Sequence, residues 1–179
     1  MTQPRIFTIG HSTRSIDEFI EVIEAHEIQQ IVDIRSIPMS RHNPQFNAVA
    51  LQPSLHQRHI AYLPIKALGG LRHPRQDSIN LGWTNASFRG YADYMASQEF
   101  RDGLQQLMEV AANYRTAILC AEAVPWRCHR SLVADALIQK GWLVEDIMSR
   151  TRAVVHRLTP FLKVCDGQLT YPRAEVLKS

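Results

Sequence analysis

The chain has 179 residues, of which 45% are hydrophobic and 21% charged, a composition that excludes a disordered protein and suits one globular domain. The net charge of +3 permits an anionic partner without requiring one, and three cysteines without a signal-peptide pattern predict free thiols. No apolar run reaches the roughly 20 residues of a membrane span, so we expect a cytoplasmic protein that makes no membrane contact.

Apolar runs and helical spacing alternate along the chain. Short β-rich runs predict strands at residues 6–9, 31–34, 60–63, 117–119 and 142–148. Apolar residues recurring at helical spacing predict helices at 16–23, 48–58, 88–95, 100–111 and 132–137. Ser15 or Thr13 is placed to cap the first helix, with Asp17 and Glu18 in its first turn.

Strands separated by helices indicate an α/β fold with a mainly parallel sheet of about five strands, flanked by helices in Rossmann-like layering. We predict one domain over residues 1–179, with residues 149–179 as a C-terminal extension that packs on it. A short strand is expected at 169–171.

Polar residues follow the predicted strands at the points where they end. His11 and Ser12 follow the first strand, Arg35 and Arg41 follow the second, and Arg72 lies beyond the third. The carboxyl ends of parallel strands share one edge, where open α/β sheets bind ligands. These side chains are therefore expected to meet at one rim.

The densest group of reactive residues lies between the fourth strand and its helix. It consists of Cys120, Glu122, Arg127, Cys128, His129 and Arg130. Near a helix start and between cationic neighbours, Cys128 is a candidate thiolate nucleophile. The alternative is a small buried hydrophobe, because Cys128 and Leu132 share a helix face.

Two further residues are candidate acid–base groups, namely Glu122 and His11. Arg35, Arg41, Arg127 and Arg130, with Ser12 and His129, are candidate substrate-binding residues, since guanidinium groups bind phosphate or carboxylate in a bidentate manner. For any one arginine the alternative is an internal ion pair, such as Arg35 with Asp33.

A metal centre is a minority interpretation. Cys120, Cys128 and His129, with His11, offer soft ligands, and ligands from separate strand ends can meet. Paired ligands in structural zinc sites are usually two to four residues apart, whereas these cysteines are eight apart. The sequence therefore predicts no bound metal or other cofactor.

Several motifs together resemble one protein family. They are Thr8-Ile-Gly-His-Ser12, Val32-Asp-Ile-Arg35 with Pro38 and Ser40-Arg41, Asn43-Pro-Gln-Phe-Asn47, Leu68-Gly-Gly70, Tyr91-Ala-Asp-Tyr-Met95, and Cys120-Ala-Glu122 through Cys128-His-Arg130. In this order, over residues 6–147, they resemble the domain of unknown function 488 family. The resemblance implies an α/β fold and an intracellular bacterial-type protein, and it carries over no reaction. Met39 departs from the basic or polar residue expected in the family's loop.

The leading hypothesis is an enzyme that acts on a small anionic substrate with the Cys, His and Glu residues of the rim. Nucleotides are the favoured class because Trp83, Tyr91, Tyr94 or Trp126 could stack on a base. The alternatives are a nucleic-acid binding module without turnover and a thiol- or metal-binding protein. The oligomeric state is not predicted.

Overall fold

The computed structural model describes residues 2–175, which form a six-stranded mixed sheet and a separate hairpin. The strands are β1 (Arg5–Gly10), β2 (Gln30–Asp33), β3 (Ala61–Pro64), β4 (Thr116–Cys120), β5 (Leu143–Ser149), β6 (Arg152–Val155), β7 (Lys163–Cys165) and β8 (Gln168–Thr170). The helices are α1 (Ile16–Ala25), α2 (Ala48–His56), α3 (Ala86–Tyr94), α4 (Gln98–Ala111) and α5 (Arg130–Gln139). Short 3-10 turns lie at Pro44–Phe46, Lys66–Leu68 and Pro125–Arg127.

The sheet has the order β3-β2-β4-β1-β5-β6, and its first five strands are parallel. The prediction of an α/β fold with a mainly parallel sheet is confirmed. The sequence indicated five strands, and the sixth, β6, pairs antiparallel with β5. The strand expected at 169–171 is β8, which pairs with β7 in the hairpin instead of extending the sheet.

Helices cover both faces of the sheet, because the side chains of the buried strands alternate between them. Phe7 and Ile9 of β1 belong to a core cluster that includes residues of α1 and α2. Ile6 belongs to the other cluster, which includes residues of α3, α4 and α5. The layering is therefore helix, sheet, helix.

The first helix shows how local sequence sets an element boundary. Ser15 accepts a hydrogen bond from the backbone N–H of Glu18, and the Glu18 carboxylate accepts one from the N–H of Ser15. This capping box satisfies two N–H groups that have no partner within the helix. The cap predicted at Ser15 is confirmed.

The connections that follow the adjacent strands β1 and β4 lead towards opposite edges of the sheet. From β1 the chain passes through α1 to β2 on one side, and from β4 it passes through α5 to β5 on the other. Adjacent strands that lead to opposite sides open a crevice at their carboxyl ends, where ligands of open sheets bind. Here the crevice lies beyond Gly10 and Cys120, which are paired in register.

The C-terminal segment makes side-chain contacts with the body of the domain. Leu169 and Tyr171 are buried in the cluster on the α5 face, and the Tyr171 hydroxyl donates to a carboxylate oxygen of Asp135 at 3.0 Å. Within residues 2–175, none of the helices is long and apolar enough to cross a membrane.

Candidate active site at the ends of β1 and β4

A cavity of about 500 Å³ lies in the crevice between β1 and β4. Its walls come from the loops after β1, β2, β3 and β4, together with the start of α3. The lining residues are His11, Ser12, Thr13, Ser40, Asn43, Leu71, Ser87, Phe88, Cys120, Ala121, Glu122, Ala123, Arg127, Cys128 and His129.

Backbone hydrogen bonds continue the pairing of β1 and β4 past the strand ends. The N–H of His11 donates to the Cys120 carbonyl at 3.0 Å, and the N–H of Ser12 donates to the Ala121 carbonyl at 2.9 Å. Ser12 has a φ of 54°, a left-handed conformation that is uncommon outside glycine. Such strain persists where the surroundings hold it, and it clusters at functional sites.

Gly10 allows the loop after β4 to approach β1 closely. A Cβ atom at this position would lie 1.8 Å from the carbonyl oxygen of Glu122, so only glycine fits. The same carbonyl accepts a hydrogen bond from the guanidinium of Arg130. The position of the loop that carries Glu122 is therefore fixed by backbone contacts at its start.

The floor of the cavity holds a cluster of three reactive side chains, Cys120, Cys128 and His129. The Nδ1 atom of His129 lies 3.9 Å from Cys120 Sγ and 3.8 Å from Cys128 Sγ. All three atoms lie within 4.8 Å of one another, and both cysteines are buried and free. Fold topology thus joins two sulfurs that are eight residues apart in the chain.

The imidazole of His129 is held in one orientation by the end of β2. Its Nε2 lies 3.0 Å from the carbonyl oxygen of Ile34. A carbonyl oxygen only accepts, so Nε2 carries the proton, and in the neutral ring Nδ1 presents a lone pair to the sulfurs. Gly70 leaves room beside that atom, because a Cβ there would lie 3.0 Å from Nδ1.

The two thiols have opposite tendencies to ionise. The neighbouring Cys128 thiol, together with the charge of Arg130, holds the pKa of Cys120 well below its usual value although burial opposes its ionisation. The same pairing and burial raise the pKa of Cys128. The sequence makes Cys128 a candidate nucleophile near a helix start, and α5 begins two residues later, at Arg130. Of the two thiols, Cys120 therefore has the greater tendency to ionise.

His11 is buried against Phe46, with ring centroids 4.3 Å apart. Its Nδ1 donates to the carbonyl oxygen of Ser12 at 2.7 Å, so in the neutral ring Nε2 is an acceptor. Nε2 is buried and has no hydrogen-bond partner among the described residues. Burial also lowers the pKa of His11, which favours the neutral form.

Two of the four arginines expected to bind substrate are turned inward. Arg35 donates two hydrogen bonds to Asp33, at 2.9 and 2.6 Å. It therefore forms the internal ion pair that the sequence analysis gave as the alternative to substrate binding. Arg130 is 1% exposed and donates to the carbonyls of Glu122 and Ala123 and to the Thr8 hydroxyl. Both guanidinium groups are occupied by contacts within the protein.

The other two arginines are exposed. Arg127 lines the cavity and makes no ion pair among the described residues, whereas Arg41 follows the lining residue Ser40 without lining the cavity itself. Glu122 is exposed on the cavity wall, and Ser12 lies beside His11. Of the predicted site residues, the structure brings together His11, Ser12, Glu122, Arg127, Cys128 and His129.

None of the aromatic residues proposed for base stacking lines this cavity. Trp83 and Trp126 line a second cavity, of about 880 Å³, beside β6. Tyr91 is buried and donates to the Leu68 carbonyl, and Tyr94 lies beneath the guanidinium of Arg72. The aromatic wall of the first cavity is Phe88, a residue that the sequence assigned only to a helix face.

Four polar lining residues, Thr13, Ser40, Asn43 and Ser87, were also missed as site residues. Asn43 and Ser40 lie in the long loop after β2, whose two prolines and irregular composition were the available signal.

Comparison with protein families identifies the class to which this fold and site belong. Residues 15–137 match the family model described as Domain of unknown function DUF488. The match covers more than half of the chain, which therefore belongs to this family. Comparisons with curated proteins and with solved structures gave no match.

Proposed function

We propose that this protein is an enzyme that binds a small anionic substrate, of the nucleotide class, in the cavity between β1 and β4. The observation that carries the proposal is the cluster of Cys120, Cys128 and His129 on the cavity floor, next to the unpartnered Nε2 of His11. Buried polar atoms are normally paired, so an unpaired acceptor beside reactive thiols favours a site for chemistry over a packed core.

Charge in the cavity wall supports an anionic substrate. Arg127 offers a guanidinium that no described carboxylate neutralises, and Ser12, Ser40 and Asn43 add polar groups around it. A guanidinium binds phosphate or carboxylate through two parallel hydrogen bonds. Phe88 offers an aromatic face on which a base can stack.

Each of the remaining site residues has a distinct role in this proposal. Through Nε2, His11 accepts a proton from the reacting group, because its Nδ1 is already committed to Ser12. Glu122 is the second proton-transfer group, on the β4 loop that lines the same cavity. The Cys120–Cys128–His129 cluster contacts the reacting atoms.

The experiment is calorimetric titration of the full chain with adenosine monophosphate and with inorganic phosphate. Arg127→Gln should weaken both affinities by roughly 10-fold or more, the effect of losing a charged hydrogen bond. Arg101→Gln is the matched control, since Arg101 is exposed on α4, away from the cavity. Equal binding by the wild type and Arg127→Gln would refute this site.

Salt dependence separates the enzyme from a nucleic-acid binding module. Binding dominated by many phosphate contacts falls steeply with salt, whereas a single guanidinium in a cavity gives a shallow dependence. For adenosine monophosphate, we expect the logarithm of the binding constant to fall with the logarithm of the salt concentration with a slope near one. Tight binding of oligonucleotides with a slope of several, and no binding of the monophosphate, would favour the module.

A further inference from the structure

We infer that Cys120, Cys128 and His129 form a binding site for one soft divalent metal ion, zinc by its ligand type, with a fourth coordination position open to the cavity. This inference rests on the proposed function in one respect, because it assumes that the substrate reacts in the cavity between β1 and β4. Metal binding itself can be measured without any substrate.

The separations of the three ligand atoms approach those of a tetrahedral site. Bond lengths of about 2.3 Å to sulfur and 2.0 Å to nitrogen place a nitrogen and a sulfur about 3.5 Å apart, and two sulfurs about 3.8 Å apart, in a tetrahedral site. The observed separations from His129 Nδ1 are 3.9 Å to Cys120 Sγ and 3.8 Å to Cys128 Sγ. The two sulfurs lie within 4.8 Å of each other, so shifts of up to about 1 Å would bring all three atoms to tetrahedral positions around one centre.

The orientation of His129 is that of a metal ligand. Its Nε2–H donates to the Ile34 carbonyl at 3.0 Å, and metal-binding histidines typically direct the other ring N–H to a carbonyl or carboxylate. The lone pair of Nδ1 then faces the two sulfurs. Gly70 keeps the space beside Nδ1 free, since a side chain there would press on the ring.

The ligand set also selects the ion and its coordination. Two thiolates and an imidazole favour zinc and other soft ions over magnesium or calcium, which take oxygen ligands. Three protein ligands are typical of catalytic zinc sites, in which the fourth position holds water or substrate. All three residues line the cavity, so that position faces His11 and Glu122, which line the same space.

The experiment uses the full chain, purified with a reductant, stripped with a chelator and titrated with Co²⁺ and then Zn²⁺. We expect one Co²⁺ per chain, with the visible bands of tetrahedral cobalt and thiolate-to-metal charge transfer, and displacement by one Zn²⁺. Cys120→Ser and Cys128→Ser should each weaken binding by 100-fold or more. Cys165→Ser should bind normally, because Cys165 is exposed on β7.

A second measurement needs no variant and so does not depend on whether the serine variants fold. Alkylation of the native protein, resolved by peptide mass spectrometry, should show Zn²⁺ protecting Cys120 and Cys128 but leaving Cys165 reactive. Absence of uptake at micromolar ion by protein with all three thiols reduced would overturn the metal site, as would uptake unchanged in Cys128→Ser. Metal binding without adenosine monophosphate binding would leave this inference standing and reject the proposed substrate.

Discussion

His156 Nδ1 lies 2.8 Å from a carboxylate oxygen of Asp146, in a buried polar network that joins β5 to the C-terminal segment. On the opposite side of the ring, Nε2 lies 3.5 Å from Asp135. Asp146 also accepts a hydrogen bond from Thr8, and Asp135 accepts one from Tyr171. One imidazole is thus held between two acids that are almost fully buried.

This network makes stability depend on pH. Burial disfavours the charged ring, but the hydrogen bonds and negative charges of Asp135 and Asp146 favour it more strongly and raise the pKa of His156 to about 9. A raised pKa adds stability that is complete below the unfolded value of about 6.5 and is lost as pH rises towards 9. The loss should be on the order of 3 kcal/mol at most. Urea unfolding between pH 6 and 9.5 measures it.

His156→Gln provides the comparison for that experiment, because other groups titrate equally in both proteins. The gap in unfolding free energy between wild type and variant should be largest at pH 6 and should shrink as pH approaches 9.5. A gap that stays constant over this range would show that His156 is not charged in the folded protein.

The second prediction concerns the tautomer of His11. Because Nδ1 donates to the Ser12 carbonyl, we expect a neutral ring at pH 7 with the proton on Nδ1 and none on Nε2. Imidazole ¹⁵N chemical shifts report both nitrogens directly. A proton on Nε2 would remove His11 as the proton acceptor of the proposed enzyme.

The third prediction separates the two kinds of arginine. Arg35→Met should destabilise the fold by about 3 to 5 kcal/mol, because it leaves Asp33 buried without its counter-charge. Tyr62 still donates to Asp33 at 2.7 Å, which favours the lower end of that range. Anion affinity should be unchanged in the folded variant, whereas Arg127→Gln should lose affinity and keep its stability. The reverse pattern would place the anion at Arg35.

The fourth prediction tests the close contact of β1 with the loop after β4. Gly10→Ala should cost about 3 kcal/mol or more, since its Cβ would collide with the Glu122 carbonyl. Gly141→Asn is the control, because Gly141 has a φ of +88° with no atom within 4 Å, and asparagine tolerates that conformation at a cost of about 1 kcal/mol. Equal costs, measured by thermal unfolding, would show that the loop moves aside freely.

Apolar periodicity was enough to predict the parallel strands and most of the helices, because the central strands are buried on both faces and read as continuous apolar runs. It missed β6, whose residues are half-buried or exposed and which lies at the edge of the described sheet, paired with β5. Sequence periodicity weakens where burial is partial, so an edge strand leaves little signal.

The sequence was enough to predict that the site lies at the strand ends, but it was not enough to predict which side chains contact one another there. Strand order decides that the carbonyl of Ile34 meets His129, 95 residues away in the chain. Ligand spacing argued against a metal, but that rule describes ligands from one short loop and does not cover Cys120 at a strand end and Cys128 after a 3-10 turn. Whether Arg35 turns to Asp33 or to a substrate depends on the cavity wall, which local sequence does not specify.

A crystal structure of the reduced protein grown with Zn²⁺ and adenosine monophosphate would show directly whether the cavity between β1 and β4 binds the metal and the nucleotide. We expect phosphate density within hydrogen-bonding distance of Arg127, in the cavity lined by Cys120, Cys128 and His129, and anomalous zinc density between the three ligand atoms. A nucleotide bound only beside Trp83 and Trp126 in the second cavity, with the first cavity filled by water, would contradict this expectation.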